Sequence, residues 1–170
     1  FLSLVNEDEE YEMKKYLESI LEKNGFLRYE ISNFALRGFE SKHNLNYWLQ
    51  GEYIGVGAAA SSFLAGSRYT NSKDLDKYTN SINQNKSVII EKEDLDFLEL
   101  MKEYVILRLR LNEGVNIAKF KKRFGVSIYE IFKDEIEKLL EEGLIVSKND
   151  CLLLSERGKE VANIVWEEFI

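Results

Sequence analysis

His43-Asn44-Leu45-Asn46-Tyr47-Trp48 stands between two apolar, strand-like strings, Tyr29-Glu30-Ile31-Ser32-Asn33-Phe34-Ala35 and Tyr53-Ile54-Gly55-Val56-Gly57-Ala58-Ala59-Ala60-Ser61-Ser62. His43 is the sole histidine of the chain. Imidazole is the most versatile neutral ligand and acid–base group a protein has, so its single copy is the first functional pointer. Ser41 is a suitable N-cap for a short helix over residues 43–49, and Gly51 closes it.

Upstream, residues 6–24 read as a helix. Met13, Tyr16, Leu17, Ile20 and Leu21 recur at helical intervals, acidic residues 7–10 crowd the first turn, and Asn24-Gly25 ends it. Residues 26–34 read as one strand, with Glu30, Ser32 and Phe34 opposite Tyr29, Ile31 and Asn33. Residues 53–56 read as a second strand, and 62–69 as a third interrupted by Gly66. The texture then changes, which sets a domain boundary between residues 1–66 and 67–170. Helices are predicted over 75–82, 92–111, 117–124 and 128–142, with Leu95, Leu98, Met101, Val105 and Leu109 forming the stripe of the second. Residues 144–147 and 151–154 flank the turn Lys148-Asn149-Asp150 as a hairpin, and a last helix runs over 155–169. Helices, a hairpin and a closing helix make a winged-helix-like order.

The 170 residues, 45% hydrophobic and 31% charged, have a globular composition. No run approaches the roughly 18 consecutive apolar residues of a membrane span, and the N-terminal string has no basic segment followed by an apolar one. The chain has no initiator Met and reads as a piece of something longer. A net charge of −7, spread over both halves, argues against nucleic acid as a partner. The single cysteine, Cys151, cannot form an internal disulfide, which fits a reducing cytoplasm. Proline is absent, so loops must be built by Gly, Asn, Asp and Ser. The basic cluster Lys119, Lys121, Lys122 and Arg123 lies among comparable acid and reads as a solvated helix face.

On a helix, His43 and Tyr47 share one face, with Asn44 and Trp48 as a neighbouring pair. That face offers a planar macrocycle an axial nitrogen, a flat aromatic wall and a hydrogen-bonding rim. From the residues alone, the same pattern also reads as a half-buried histidine bonded to a carbonyl beside a core Trp. Gly55, Gly57 and Ala60 fit a dinucleotide-binding pattern, but Gly66 cuts short the long helix that such a site needs. They read better as glycines permitting close backbone approach, to another strand or to a cofactor. Glu30 reads as a carboxylate that either orients a substrate or pairs with Arg37.

The strings YEISNFA, HNLNYW and YIGVGAAASS together resemble a block of the radical-SAM family that contains oxygen-independent coproporphyrinogen III oxidases and a haem chaperone branch, and HNLNYW is similar to the motif of that branch. The resemblance implies an α+β fold: the last β/α elements of a partial radical-SAM barrel over residues 1–66, followed by a helical, winged-helix-like C-terminal domain with a small hairpin over 67–170. It implies haem binding by His43, with Asn44 and Tyr47 beside it and the haem iron on the imidazole. Gly55, Gly57 and Glu30 would lie along the cofactor cavity. A [4Fe–4S] cluster and S-adenosylmethionine would belong to the parent protein only, since the cluster needs three thiolates and this chain has one cysteine. The chain alone would be catalytically inert. Its implied partners are the N-terminal barrel part of the same protein, haem, and haem-receiving respiratory enzymes at the membrane. A second copy is a further expected partner, because strands cut off from their neighbours expose sticky edges. Two departures from the family pattern stand out: Arg37 is followed by Gly38 rather than Pro, and Ser61 stands where many relatives have a histidine. The alternative from another class is a winged-helix interaction or regulatory module in which His43 is structural.

Overall fold

The computed structural model describes residues 5–170; the first four residues of the N-terminal string lie outside it. The chain forms two compact units, one up to Lys42 and the other His43–Ile170.

In the first unit, helix α1 (Glu7–Lys23) starts from a reciprocal cap. The Asn6 side chain accepts from the Glu9 N–H at 2.9 Å, and the Glu9 carboxylate accepts from the Asn6 N–H at 3.1 Å. Its apolar stripe is open, with Met13, Tyr16, Leu17 and Ile20 all exposed. Strands β1 (Phe26–Arg28) and β2 (Phe34–Leu36) pair antiparallel, so the single strand predicted over 26–34 is a hairpin. The chain reverses because the Tyr29 N–H donates to the Asn33 carbonyl at 3.1 Å, while the Glu30 carboxylate accepts from the Ser32 N–H at 2.8 Å and the Asn33 side chain at 2.6 Å. A side chain that satisfies nearby backbone donors competes with a sheet ladder, and here it wins. Arg28 joins the hairpin to α1 through Glu18, at 3.3 Å.

Helix α2 (Lys42–Trp48), predicted over residues 43–49, leads into the second unit. The strand predicted over 53–56 reduces to one bridge, Tyr53 with Phe63. The chain then forms β3 (Ser61–Leu64) and β4 (Ser67–Asn71), a hairpin whose turn residues Ala65 and Gly66 have φ of +49° and +78°. Positive φ at both central positions matches the twist of the flanking strands. After α3 (Leu75–Asn83), strand β5 (Ile89–Asp94) adds to β4 to complete an antiparallel sheet in the order β3-β4-β5. This sheet runs through residues 66 and 67, the position where the change in texture sets a boundary.

Residues 92–94, predicted as the start of a helix, belong to β5. They pair with β4, and helix α4 (Phe97–Leu109) begins only after Asp96, whose side chain accepts from the Glu99 N–H at 2.8 Å. Next come β6 (Val115–Asn116), α5 (Ile117–Phe124), α6 (Ile128–Ile131), α7 (Lys133–Glu141), the hairpin β7 (Ile145–Lys148) and β8 (Cys151–Leu154), and then α8 (Glu156–Glu160) and α9 (Ala162–Glu167). The sheet order is β6-β8-β7, all antiparallel. The helices predicted over 128–142 and 155–169 each break once, at Phe132 and Val161, which leave helical geometry at φ −123° and −118°. Phe132 uses that break to reach the core, its ring 6.4 Å from Phe120 and 5.5 Å from Phe169. Around it Tyr104, Val105, Ile128, Ile136, Leu139, Leu152 and Val165 are buried.

α8 approaches the backbone beneath it so closely that a Cβ on Gly158 would stand 1.9 Å from the Leu144 carbonyl oxygen. Gly158→Ala is therefore expected to lower stability by about 1–3 kcal/mol, because the obstructing atom is backbone and cannot rotate away. Urea unfolding checks this, and an unchanged midpoint would contradict the close packing.

Candidate functional site

Helix α2 places the imidazole and the phenol as their spacing predicts. His43 Nε2 and the Tyr47 hydroxyl lie 3.0 Å apart, with the rings edge to face at 4.8 Å. From Tyr47 the aromatic row continues to Tyr53 at 4.6 Å and on to Phe63 at 6.5 Å. The row exists because Tyr53 bridges to Phe63, which brings the loop after α2 against β3. Tyr47, Tyr53 and Phe63 form one wall of an open pocket of about 360 Å³, with Ile106 and Leu107 of α4 among its other lining residues. Arg68, which also lines it, is ion-paired with Glu103 and Glu93. Tyr47 thus belongs both to the pocket wall and to the histidine hydrogen bond.

This bond constrains which ring nitrogen is free to take a ligand. If the Tyr47 hydroxyl donates to Nε2, the neutral ring carries its proton on Nδ1. If Nε2–H donates to the phenol oxygen, Nδ1 keeps a free lone pair. The second arrangement is the usual form of a metal-binding histidine, whose other nitrogen is held by an oxygen. His43 itself is exposed, while Asn44 on the same helix is half-buried. No group of three or more His, Cys, Asp or Glu side chains is placed to hold a metal ion among the described residues.

Two anchors that the sequence reading missed hold α2 in place. Gln50, only 5% exposed, adopts a left-handed φ of +53°; its amide donates to the Leu100 carbonyl at 3.1 Å, and its oxygen accepts from Arg123 at 2.9 Å. The second anchor is Trp48, whose ring lies 4.1 Å under the Arg110 guanidinium, which also stands 5.1 Å from the Trp166 ring. No local pattern marks Gln50, because its partners lie 50 and 73 residues away. Arg123, read as part of a solvated face, is one of those partners. Gln50→Ala should cost about 1–3 kcal/mol by leaving the Arg123 guanidinium without its acceptor and cutting the tie to the Leu100 carbonyl. Chemical denaturation measures the loss, and a cost below that range would mean water replaces the side chain freely.

The glycines pack against the chain's own backbone and side chains. A Cβ on Gly55 would lie 2.1 Å from the Ser61 carbonyl oxygen, so the close approach is to the chain's own backbone. The Gly55 N–H donates to Ser62 Oγ at 2.9 Å and the Gly57 N–H to the Tyr78 hydroxyl at 3.1 Å, while Asn71 donates to the Gly57 carbonyl at 2.9 Å. The backbone donors a phosphate would use are thus already engaged, and β3 rather than a helix follows. Gly55 and Val56 line a separate pocket of about 340 Å³ with Tyr78 and Ile89. Glu30 lies in the other compact unit, fully buried and bonded within its own turn. Arg37, its suggested partner, is exposed and instead helps to hold the Glu40 carboxyl below its ordinary pKa, after the backbone N–H groups of Glu40 and Gly38.

The mixed α+β fold is that of a known structure. Escherichia coli coproporphyrinogen III oxidase (HemN), a radical SAM enzyme, superposes with a TM-score of 0.78 and 15% identity over 98% of this chain and 42% of that one. Residues 95–161 match the HemN C-terminal domain. The chain is 37% identical over 169 residues to the heme chaperone HemW of Lactococcus lactis, covering 99% of this chain and 44% of that protein. It is 33% identical to the heme chaperone HemW of Bacillus subtilis, covering 99% of this chain and 45% of that protein. The chain is thus similar over nearly all of its length to part of the haem chaperones HemW, shares the fold of the corresponding part of HemN, and matches the HemN C-terminal domain over residues 95–161. It spans less than half the length of the curated relatives named here. No helix among the described residues is long and apolar enough to cross a membrane.

Proposed function

We propose that this chain is the haem-handling C-terminal portion of a haem chaperone, with His43 as axial ligand and Asn44 and Tyr47 beside it. The observation that carries the reading is the His43–Tyr47 hydrogen bond at the edge of an aromatic-walled pocket. The donor set fits haem: an exposed imidazole, a phenol hydrogen-bonded to it, and a row of three aromatic rings for a flat macrocycle. Bound haem would supply an iron centre, held by the His43 imidazole. The residues do not fit a [4Fe–4S] cluster, because the chain has one cysteine. The cluster and S-adenosylmethionine therefore belong to the parent protein, and the chain alone is catalytically inert. Gly55 and Gly57 act as scaffold for the loop before β3, and Glu30 as scaffold for its own hairpin turn.

In the parent, residues 1–66 supply the last elements of the partial barrel and 67–170 the helical domain, whose β6-β8-β7 order supports a winged-helix-like reading. The exposed stripe of α1 supports docking to the N-terminal barrel part or to a second copy of the chain. The recipients would be respiratory enzymes reached from the cytoplasm at the membrane. Titrating the chain with haemin, with metal-free protoporphyrin as control, tests the reading. A saturable, shifted Soret band with haemin is expected, and a spectrum that stays that of free haemin would refute it.

A further inference from the structure

We propose that the helical portion carries a second binding site, for a small organic anion bearing phosphate or carboxylate groups, in the pocket between α4, the start of α5 and the β7–β8 hairpin. This pocket measures about 400 Å³ and is lined by three cations, Arg108, Lys119 and Lys148, against one carboxylate, Glu113. In a chain of net charge −7, that balance runs against the composition. Several other cations of this unit are matched: Arg68 with Glu93 and Glu103, Lys138 with Glu168, Lys159 with Glu156. None of the three pocket cations has an ion-pair partner among the described residues. Arg108 is also fixed in place. Its guanidinium stands 5.1 Å over the Tyr104 ring, and its Nε is enclosed without a hydrogen-bond partner among the described residues. A buried donor of that kind calls for an acceptor, and an incoming oxyanion is the one that three cations would select. The Tyr104 ring and Leu153 give the site an apolar side, which suits an organic body better than a bare inorganic ion.

Cys151 reports on occupancy. Its thiol lines the same pocket, accepts from the Asn116 side chain at 3.5 Å, and is the chain's sole cysteine. The test measures the rate of Cys151 alkylation by iodoacetamide at constant ionic strength, with inorganic pyrophosphate or tricarballylate as probe. At ten times its half-saturating concentration, a bound anion should slow the reaction about ten-fold, since only the empty fraction reacts. Protection by pyrophosphate alone assigns the site to phosphates, by tricarballylate alone to carboxylates, and by both to their shared charge. Arg108→Gln and Lys148→Gln should each raise the half-saturating concentration about ten-fold, as expected for one lost charge-assisted contact. Lys148 is exposed on the hairpin, so that variant carries the test even if Arg108→Gln fails to fold. Absence of protection by either probe, or equal protection in Lys148→Gln and wild type, overturns the proposal.

Discussion

His43→Ala will weaken haemin binding by more than about 100-fold, while Tyr47→Phe will weaken it by about ten-fold, the ranking expected for a ligand and for the group that orients it. The chain has no second imidazole to substitute. Tyr47→Phe keeps the aromatic wall but removes the oxygen 3.0 Å from His43 Nε2, so its effect isolates the hydrogen bond from the packing. Two readouts make the result specific. The Soret band of His43→Ala should revert to that of weakly held haemin, and free imidazole added to His43→Gly should restore the wild-type band by filling the vacated position. Equal affinities for wild type and His43→Ala would remove His43 from the site and leave it as a surface histidine on a short helix. Because His43 is exposed, His43→Ala should change the unfolding free energy by no more than about 0.5 kcal/mol, which separates a binding defect from a folding one.

Phe120→Ala will cost about 3–5 kcal/mol, the range for truncating a large buried aromatic. Phe120 is wholly buried in the second unit, its ring 4.8 Å from Phe124, 5.8 Å from Tyr104 and 6.4 Å from Phe132. It thus connects α4, α5 and the residue at which α6 ends, and the cavity left behind could not be closed from one side. In a chain of this length, such a loss should lower Tm by about 10 °C or more. Phe39→Ala provides the contrast, since Phe39 is 80% exposed and its truncation should stay within about 0.5 kcal/mol. Urea titrations of the two variants, with m unchanged, would establish the difference. A loss below 1 kcal/mol for Phe120→Ala would mean that the helices do not share one core.

The geometry of α2 was legible because its information is local. An i, i+4 pair on a helix needs only the helix, and HNLNYW with its neighbours carried the family resemblance as well. The helices α1, α3 and α5 and the hairpin β7–β8 were legible for the same reason: their caps and turns are chemical signals within four residues. Failures came where a remote partner outweighed a local pattern. Residues 92–94 could enter a helix until β4 offered them a ladder. Residues 26–34 alternate like one strand, yet the Glu30 carboxylate folds them back.

The amino-acid sequence by itself determined the class of fold, the placement of most helices, the single imidazole beside its phenol, and the lack of thiolates for a cluster. All of these follow from residue type and spacing over a few positions. Only the tertiary structure decided that Tyr53 and Phe63 would extend the aromatic wall, that Gln50 would bind Leu100 and Arg123, and that three cations from α4, α5 and β7 would meet around Cys151. Those contacts join residues far apart in the chain, and their energies depend on burial that no single segment possesses until the others have packed against it.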